Sequence, residues 1–154
     1  MFLDRLDKAI LRQLQSDASI SNLKLSEIIG LSAPACFKRV KRLETQGVIS
    51  KRVALIDQSK FGTCVHMIVE VMMHQDNLLL NQQFIKSVKR SPQVHECYKV
   101  TGEVDFVLVV VVPDMPSYDT FCEDILYGHS NMKQFRTLIS INRVKYDTQV
   151  HIPD

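Results

Sequence analysis

Between two glycines the chain reads Gly30-Leu31-Ser32-Ala33-Pro34-Ala35-Cys36-Phe37-Lys38-Arg39-Val40-Lys41-Arg42-Leu43-Glu44-Thr45-Gln46-Gly47. Glycine reaches the left-handed backbone conformation without steric penalty, so Gly30 predicts a sharp turn that ends the preceding helix. Ser32 carries the side-chain oxygen of an N-cap, and Pro34 falls in the first turn, where its missing N–H does no harm. A helix over about residues 33–46 follows and closes at Gly47. Stepped at about 100° per residue, Cys36, Val40 and Leu43 gather on one face, while Pro34, Ala35, Lys38, Lys41 and Arg42 lie opposite. One face is core and the other is basic.

Towards the N-terminus, Asp4 can cap a first helix whose buried stripe is Leu6, Ile10 and Leu14, with Leu11 on its flank. Ser16-Asp17-Ala18-Ser19 breaks it, and a short second helix spans about residues 23–29 with Leu25, Ile28 and Ile29 inward. Short helix, glycine turn and basic helix, from Asn22 to Gln46, make the helix-turn-helix pattern, whose second helix enters the DNA major groove. Affinity for DNA comes mostly from neutralised phosphates, and sequence preference from groups at base edges. Ser32, Pro34, Ala35 and Lys38 lie in the half of the helix nearest the bases; Lys41, Arg42 and the flanking Arg39 can reach the backbone. A structural role for Arg39 stays open, and a solvated helix surface would also carry such a basic face. Charge is divided in the same sense. Residues 1–60 hold 11 Lys and Arg against 6 Asp and Glu, whereas residues 61–154 hold 8 against 11, so only the front of the chain is basic.

Towards the C-terminus, residues 48–56 have strand character and residues 57–62 read as a turn or linker. This predicts a DNA-binding domain over 1–56, a linker over 57–63 and a second domain over 64–154; 154 residues at 45% hydrophobic content can bury two small cores. In the second domain Val65, Met67, Val69, Val71 and Met73 alternate as a strand. A helix over 78–89 points Phe84, Ile85 and Val88 inward. The strands 94–100 and 104–112 are joined by Thr101-Gly102-Glu103, too short for a crossover, and so form an antiparallel hairpin. The second of them is central, being apolar on both faces. A helix opening at Pro113-Asp114-Met115-Pro116-Ser117 buries Tyr118, Phe121, Cys122, Ile125 and Leu126, and a long strand over 134–146 ends the series. The order β-α-β-β-α-β predicts a ferredoxin-like α/β sandwich, a four-stranded antiparallel sheet with both helices on one face. A second subunit is expected to cover the other face.

Three motifs resemble one family, the leucine-responsive and asparagine-responsive regulators (Lrp/AsnC). Residues 3–11, Leu-Asp-Arg-Leu-Asp-Lys-Ala-Ile-Leu, look like its first helix. Gly30-Leu31-Ser32 with Cys36, Arg39, Val40, Arg42, Leu43, Glu44, Gly47, Val48 and Ile49 is similar to its recognition helix and exit turn. Residues 97–106, Cys-Tyr-Lys-Val-Thr-Gly-Glu-Val-Asp-Phe, with Val112-Pro113-Asp114-Met115, resemble its effector-domain hairpin and the start of the next helix. Glu103 stands where Asp is common, and Tyr127-Gly128-His129-Ser130-Asn131 replaces a short Pro-Gly turn. The resemblance implies a winged helix-turn-helix followed by an ACT-like α/β domain. It also implies homodimers assembling into octamers and amino-acid effectors bound between subunits.

A free amino acid presents a carboxylate, an ammonium and a side chain, so its site needs exposed N–H groups, an acid and an apolar pocket. In the hairpin Gly102 lets backbone approach a ligand closely, Thr101 offers a hydroxyl, and Glu103 and Asp105 supply carboxylates. A tight hairpin whose acids merely face water accounts for the same residues; the resemblance is what implies a pocket. It further implies that Met115 and Leu138-Ile139-Ser140 line that pocket, from the same or a neighbouring subunit.

The competing class is an enzyme, a sirohaem decarboxylase of similar architecture. His66, His74, His95, His129 and His151 show neither metal spacing nor a paired nucleophile, and Cys36, Cys64, Cys97 and Cys122 lack C-x-x-C spacing and read as small core residues. No catalytic residue, metal or cofactor is therefore expected. No apolar run approaches the roughly 20 residues of a membrane helix, and the N-terminus opens on charged residues, which predicts a cytoplasmic protein acting at the nucleoid.

Overall fold

The structure, a computed structural model, describes residues 3–153. The chain forms two compact units, one running up to Ile56 and taking in the tail from Lys145, the other Asp57–Val144.

The first unit is built on α1 (Arg5–Ser16), α2 (Asn22–Ile29) and α3 (Ala33–Thr45). Asp4 caps α1 by accepting the Asp7 N–H at 2.8 Å, while the Asp7 carboxylate accepts the Asp4 N–H at 3.2 Å, a reciprocal capping box. The inward face of α1 is Asp7, Ile10 and Leu14, so the stripe is turned from the expected one and Leu6 is only half-buried. A buried carboxylate replaces an apolar residue because it has cationic partners on α3. Ser21 caps α2, and Gly30 ends it at φ 75°, its N–H donating to the carbonyls of Ser26 and Glu27. Leu25 and Ser26 face inward, whereas Ile28, expected inside, is about half exposed. Ser32 caps α3, and Ile10, Leu14, Leu25, Cys36, Val40 and Leu43 close the core.

The segment 48–56, expected as a strand, is irregular, and Val53, Leu55 and Ile56 are each more than 60% exposed. A strand needs a partner for its backbone groups, and no described part of this chain supplies one. The tail returns to α1 instead of staying with the second unit. Gln15 Nε2 donates to the Val150 carbonyl and Gln15 Oε1 accepts the Val150 N–H, both at 3.1 Å; Arg12 donates to the Ile152 carbonyl at 2.9 Å. Beneath the tail lies an apolar cavity of about 370 Å3 lined by Leu3, Leu11, Leu14, Val48 and Ile49.

The second unit holds β1 (Val65–Met73), α4 (Leu78–Arg90), β2 (Val94–Lys99), β3 (Phe106–Val112), α5 (Met115–Phe121) and β4 (Met132–Ile139). The sheet order is β2-β3-β1-β4, all antiparallel, as the β-α-β-β-α-β reading requires. Alternate residues Met67, Val69, Val71 and Met73 of β1 and Phe106, Leu108, Val110 and Val112 of β3 pack with Phe84, Val88, Tyr118, Phe121 and Leu126. Chain after α5 continues as π-helix over Cys122–Tyr127, keeping Cys122 and Leu126 buried. Cys97, read as a core residue, is exposed because β2 is an edge strand. Strand β4 stops at Ile139, short of the expected residue 146, and Ile141 and Val144 beyond it are almost wholly exposed. On the sheet face away from the helices, Ile68 pairs with Val109 on one side and Leu138 on the other, flanked by Val107 and Val111.

Candidate functional site

The basic helix α3 is fixed from beneath by the acids of α1. Arg39 Nη1 lies 2.7 Å from Asp4 Oδ2 and 2.9 Å from Asp7 Oδ1, and Arg42 Nη2 lies 2.5 Å from Asp7 Oδ2. Asp7 is 1% exposed, so its charge depends on these cations. The Asp7 N–H, and then the Arg39 guanidinium, hold the Asp4 carboxyl below the usual carboxylate range. The same two carboxylates raise Arg39 further above its already high value. Arg39, expected at the DNA backbone with a structural role left open, is engaged by both carboxylates and ties α3 to α1. Arg42 has one foot in the clamp yet stays exposed. The signal for this clamp was present as two acids three apart on α1, but their partners lie more than thirty residues away.

With the inner face so held, α3 turns Pro34, Phe37, Lys38, Lys41 and Arg42 to solvent, with Ser32 exposed at its cap. Ala35 is half-buried, at the edge of this surface. Lys38 makes no ion pair among the described residues. Lys41 Nζ sits 2.9 Å from Glu44, which it holds below the usual carboxylate range, and 5.8 Å from the centre of the Phe37 ring. Phe37 escaped the sequence reading; its signal was an aromatic three residues after Pro34 and four before Lys41. The face combines a helix N-terminus, exposed cations of which Lys38 makes no ion pair among the described residues, and apolar groups, which suits a polyanionic groove with readable edges.

The hairpin between β2 and β3 carries the other candidate set. Thr101, Gly102 and Glu103 are exposed at its tip, and Gly102 has φ 123°, which side-chain-bearing residues rarely adopt. Asp105 is tied into the fold. Its Oδ2 accepts the Met73 N–H at 2.7 Å, its N–H donates to the Val71 carbonyl at 2.8 Å, and its carbonyl accepts the Val100 N–H at 2.9 Å. Asp105 therefore sets the hairpin against the end of β1. At the same end of the sheet, buried Asn131 donates to the Gln75 carbonyl and buried Asn81 to Asp76, pinning the loop that follows β1.

The remaining expected residues lie elsewhere. The register pairs Val71 with Phe106 at the hairpin end and Val65 with Val112 at the other, so Met115, which follows β3, is at the far end. Leu138, Ile139 and Ser140 run from the middle of the sheet towards that end, since Ile68 pairs with Leu138, Met67 pairs with Ile139 and the Ser140 N–H donates to the His66 carbonyl. Along β1, Val65 and Val71 are separated by about 20 Å, six strand steps of roughly 3.4 Å, so Met115 is remote from the hairpin, while Leu138, Ile139 and Ser140 stand opposite residues three to five steps from Val71. Among the described residues no cluster of three or more His, Cys, Asp or Glu is arranged to hold a metal, and no helix is long and apolar enough to cross a membrane.

Comparison with known proteins gives two family matches. Residues 3–50 match the winged helix-turn-helix DNA-binding model, and residues 66–150 the Lrp/AsnC ligand binding domain. The transcriptional regulator AzlB of Bacillus subtilis is 39% identical over 154 residues, covering 100% of this chain and 98% of that protein. The crystal structure of an AsnC family transcriptional regulator from Agrobacterium tumefaciens superposes with TM-score 0.89 at 34% identity, covering 96% of each chain. A transcriptional regulator from Neisseria meningitidis, solved as an L-Met complex, has TM-score 0.89 at 27% identity, covering 97% of each chain. A helix-turn-helix with a solvent-facing basic helix, joined to an ACT-like four-stranded α/β domain, places the chain in the Lrp/AsnC family of DNA-binding transcriptional regulators.

Proposed function

We propose that the chain regulates transcription by binding specific DNA sequences through α3, and that an amino acid held between subunits of the α/β domain modulates this binding. The observation that carries the DNA half is the row Pro34, Lys38, Lys41 and Arg42, presented to solvent on a helix whose inner face is locked by Asp4 and Asp7. Ser32, Pro34, Ala35 and Lys38 lie nearest base edges, and Lys41 and Arg42 nearest phosphates. The protein acts in the cytoplasm at the nucleoid, as a regulator and not as an enzyme. Its functional domains are 1–56 and 64–154, with 57–63 as the linker and the tail from Lys145 folded back onto the first.

The effector half rests on Thr101, Gly102 and Glu103, set by Asp105. Exposed N–H groups at the tip would meet a carboxylate, and Glu103 an ammonium. Met115 and Leu138-Ile139-Ser140 complete the apolar side from a second copy, since within one chain Met115 follows the far end of β3 and Leu138-Ile139-Ser140 lie on or just past β4, two strands from β3. The L-Met complex of the Neisseria meningitidis regulator favours an amino acid as the ligand class. Homodimers form over Ile68, Val107, Val109, Val111 and Leu138, and assemble to octamers. Effector binding shifts the assembly only as far as its affinity differs between two packing states.

The test is fluorescence anisotropy with the full chain and a DNA site selected from a random library, with and without each of the twenty amino acids. The selected site should bind well ahead of a scrambled one, and at least one amino acid should change the midpoint. Equal affinity for both DNAs would overturn the DNA reading, and indifference to all twenty would sink the amino-acid reading. Light scattering that shows only the 17.7 kDa monomer at micromolar concentration would overturn the assembly.

A further inference from the structure

Phe37 is the least explained side chain in the first unit. It is 53% exposed, takes no part in the core of Ile10, Leu14, Leu25, Cys36, Val40 and Leu43, and stands in the N-terminal half of α3. Exposed single apolar residues are ordinary on protein surfaces, but this one has a defined setting. It shares a helical strip with Pro34 and Lys41, three and four residues away, and adjoins Lys38. Lys41 Nζ lies 5.8 Å from its ring centre while bonded to Glu44 at 2.9 Å, so the ring is braced from its C-terminal side.

The neighbours decide what such a ring meets. Lys41 lies over the ring and Lys38 is the next residue on the helix, a positive setting that selects a polyanion over an apolar protein partner. On duplex DNA the major groove presents one apolar group at a base edge, the C5-methyl of thymine, and phenyl side chains contact it favourably. We propose that Phe37 is a specificity-determining residue that reads a thymine through its C5-methyl, at a position adjoining the base pair met by Lys38. The inference rests on the assignment of α3 as the recognition helix and adds the identity of one base to it.

Replacing thymine by uracil removes the methyl and leaves every hydrogen-bonding edge in place. The experiment uses the full chain and a site selected by it from a random library, with each thymine of one half-site replaced singly by uracil. For the unaltered protein one such replacement should weaken binding about five- to tenfold. Phe37→Ala should lose a similar factor on the thymine site and show no further loss on the uracil site, with the slope of affinity against salt unchanged. Phe37→Leu, which keeps an apolar contact, should retain part of the methyl preference. Melting temperature should not move in either variant.

A selected site indifferent to every uracil replacement overturns the inference alone, as does Phe37→Ala paying the same uracil penalty as the unaltered chain. A large drop in melting temperature with uniform loss on all DNA assigns Phe37 to packing and also overturns it. If the unaltered chain selects no site, the DNA-binding reading falls and this inference falls with it.

Discussion

The helix α3 and the hairpin at residues 101–105 present functional groups in opposite ways. On α3 every group belongs to one rigid element, capped by Ser32, ended near Gly47 and clamped through Arg39 and Arg42 to Asp4 and Asp7. The hairpin offers only a tip, and the residues proposed to work with it lie on other strands or past the far end of β3. A surface carried by one helix is complete in a single chain. The pocket proposed above draws on a second copy, and in that proposal ligand and assembly are coupled.

The most damaging way to break this contrast is to free α3. Asp7→Ala leaves Arg42 without its carboxylate and Arg39 with only Asp4, and the lost charge-assisted hydrogen bonds should cost about 2 kcal/mol of stability in the first unit. Hydrogen exchange should show faster opening of α1 and α3 with the sheet amides unchanged; uniform loosening of both units would contradict their independence. Lys38→Ala should come next, weakening binding to a selected site by about 1 to 3 kcal/mol if it contacts a base, whereas Lys41→Ala should lower affinity for all DNA and flatten the salt slope by about 1. Titrations at several salt concentrations separate the two, and matching slopes for all three proteins would undo the division between base and phosphate contacts.

On the other side of the contrast, Gly102→Ala forces a side chain into φ 123° and should strain the hairpin by about 1 kcal/mol. There is open space around it, so the strain is in the backbone and not in packing. Amino-acid response should fall while DNA affinity in the absence of effector stays, as measured by anisotropy; a fall in both would show that the hairpin is not specific to sensing. The smallest effect concerns Asp4, whose carboxyl is held below its ordinary value in the folded chain. Such a group adds stability above its unfolded value of about 3.9, and that stability fades as pH falls through the folded value. Asp4→Asn should therefore be less stable than the unaltered chain at pH 6, and the gap should close as pH falls past the folded value in thermal melts. A constant gap across the acid range would remove the charge from the explanation.

What could be read in advance follows the same contrast. Local signals were sufficient for α3, because Ser32, Pro34, the triplet Cys36, Val40 and Leu43, and Gly47 all lie within one element. Alternation likewise set out β1 and the central β3. Signals failed where a residue's role depends on distant partners. The partners of Arg39, Asp4 and Asp7, are remote from it in sequence, and Leu6 looked buried because a carboxylate was not expected inside. Residues 48–56 and 140–146 have the β-branched composition of strands, but composition does not provide a neighbouring strand to pair with. Composition also could not separate Cys97 on an edge strand from the buried Cys36 and Cys122.

The clasp between Gln15 and Val150 bears on how the molecule should be divided for experiment. Because the final residues lie along α1, the helix-turn-helix unit is discontinuous in sequence. A fragment cut after residue 56 would lack the segment covering Leu3, Leu11, Leu14, Val48 and Ile49, and would expose an apolar trough that the intact chain shelters. Supplying residues 145–154 as a separate peptide should shelter that trough again, and a fluorophore on the peptide would report its docking.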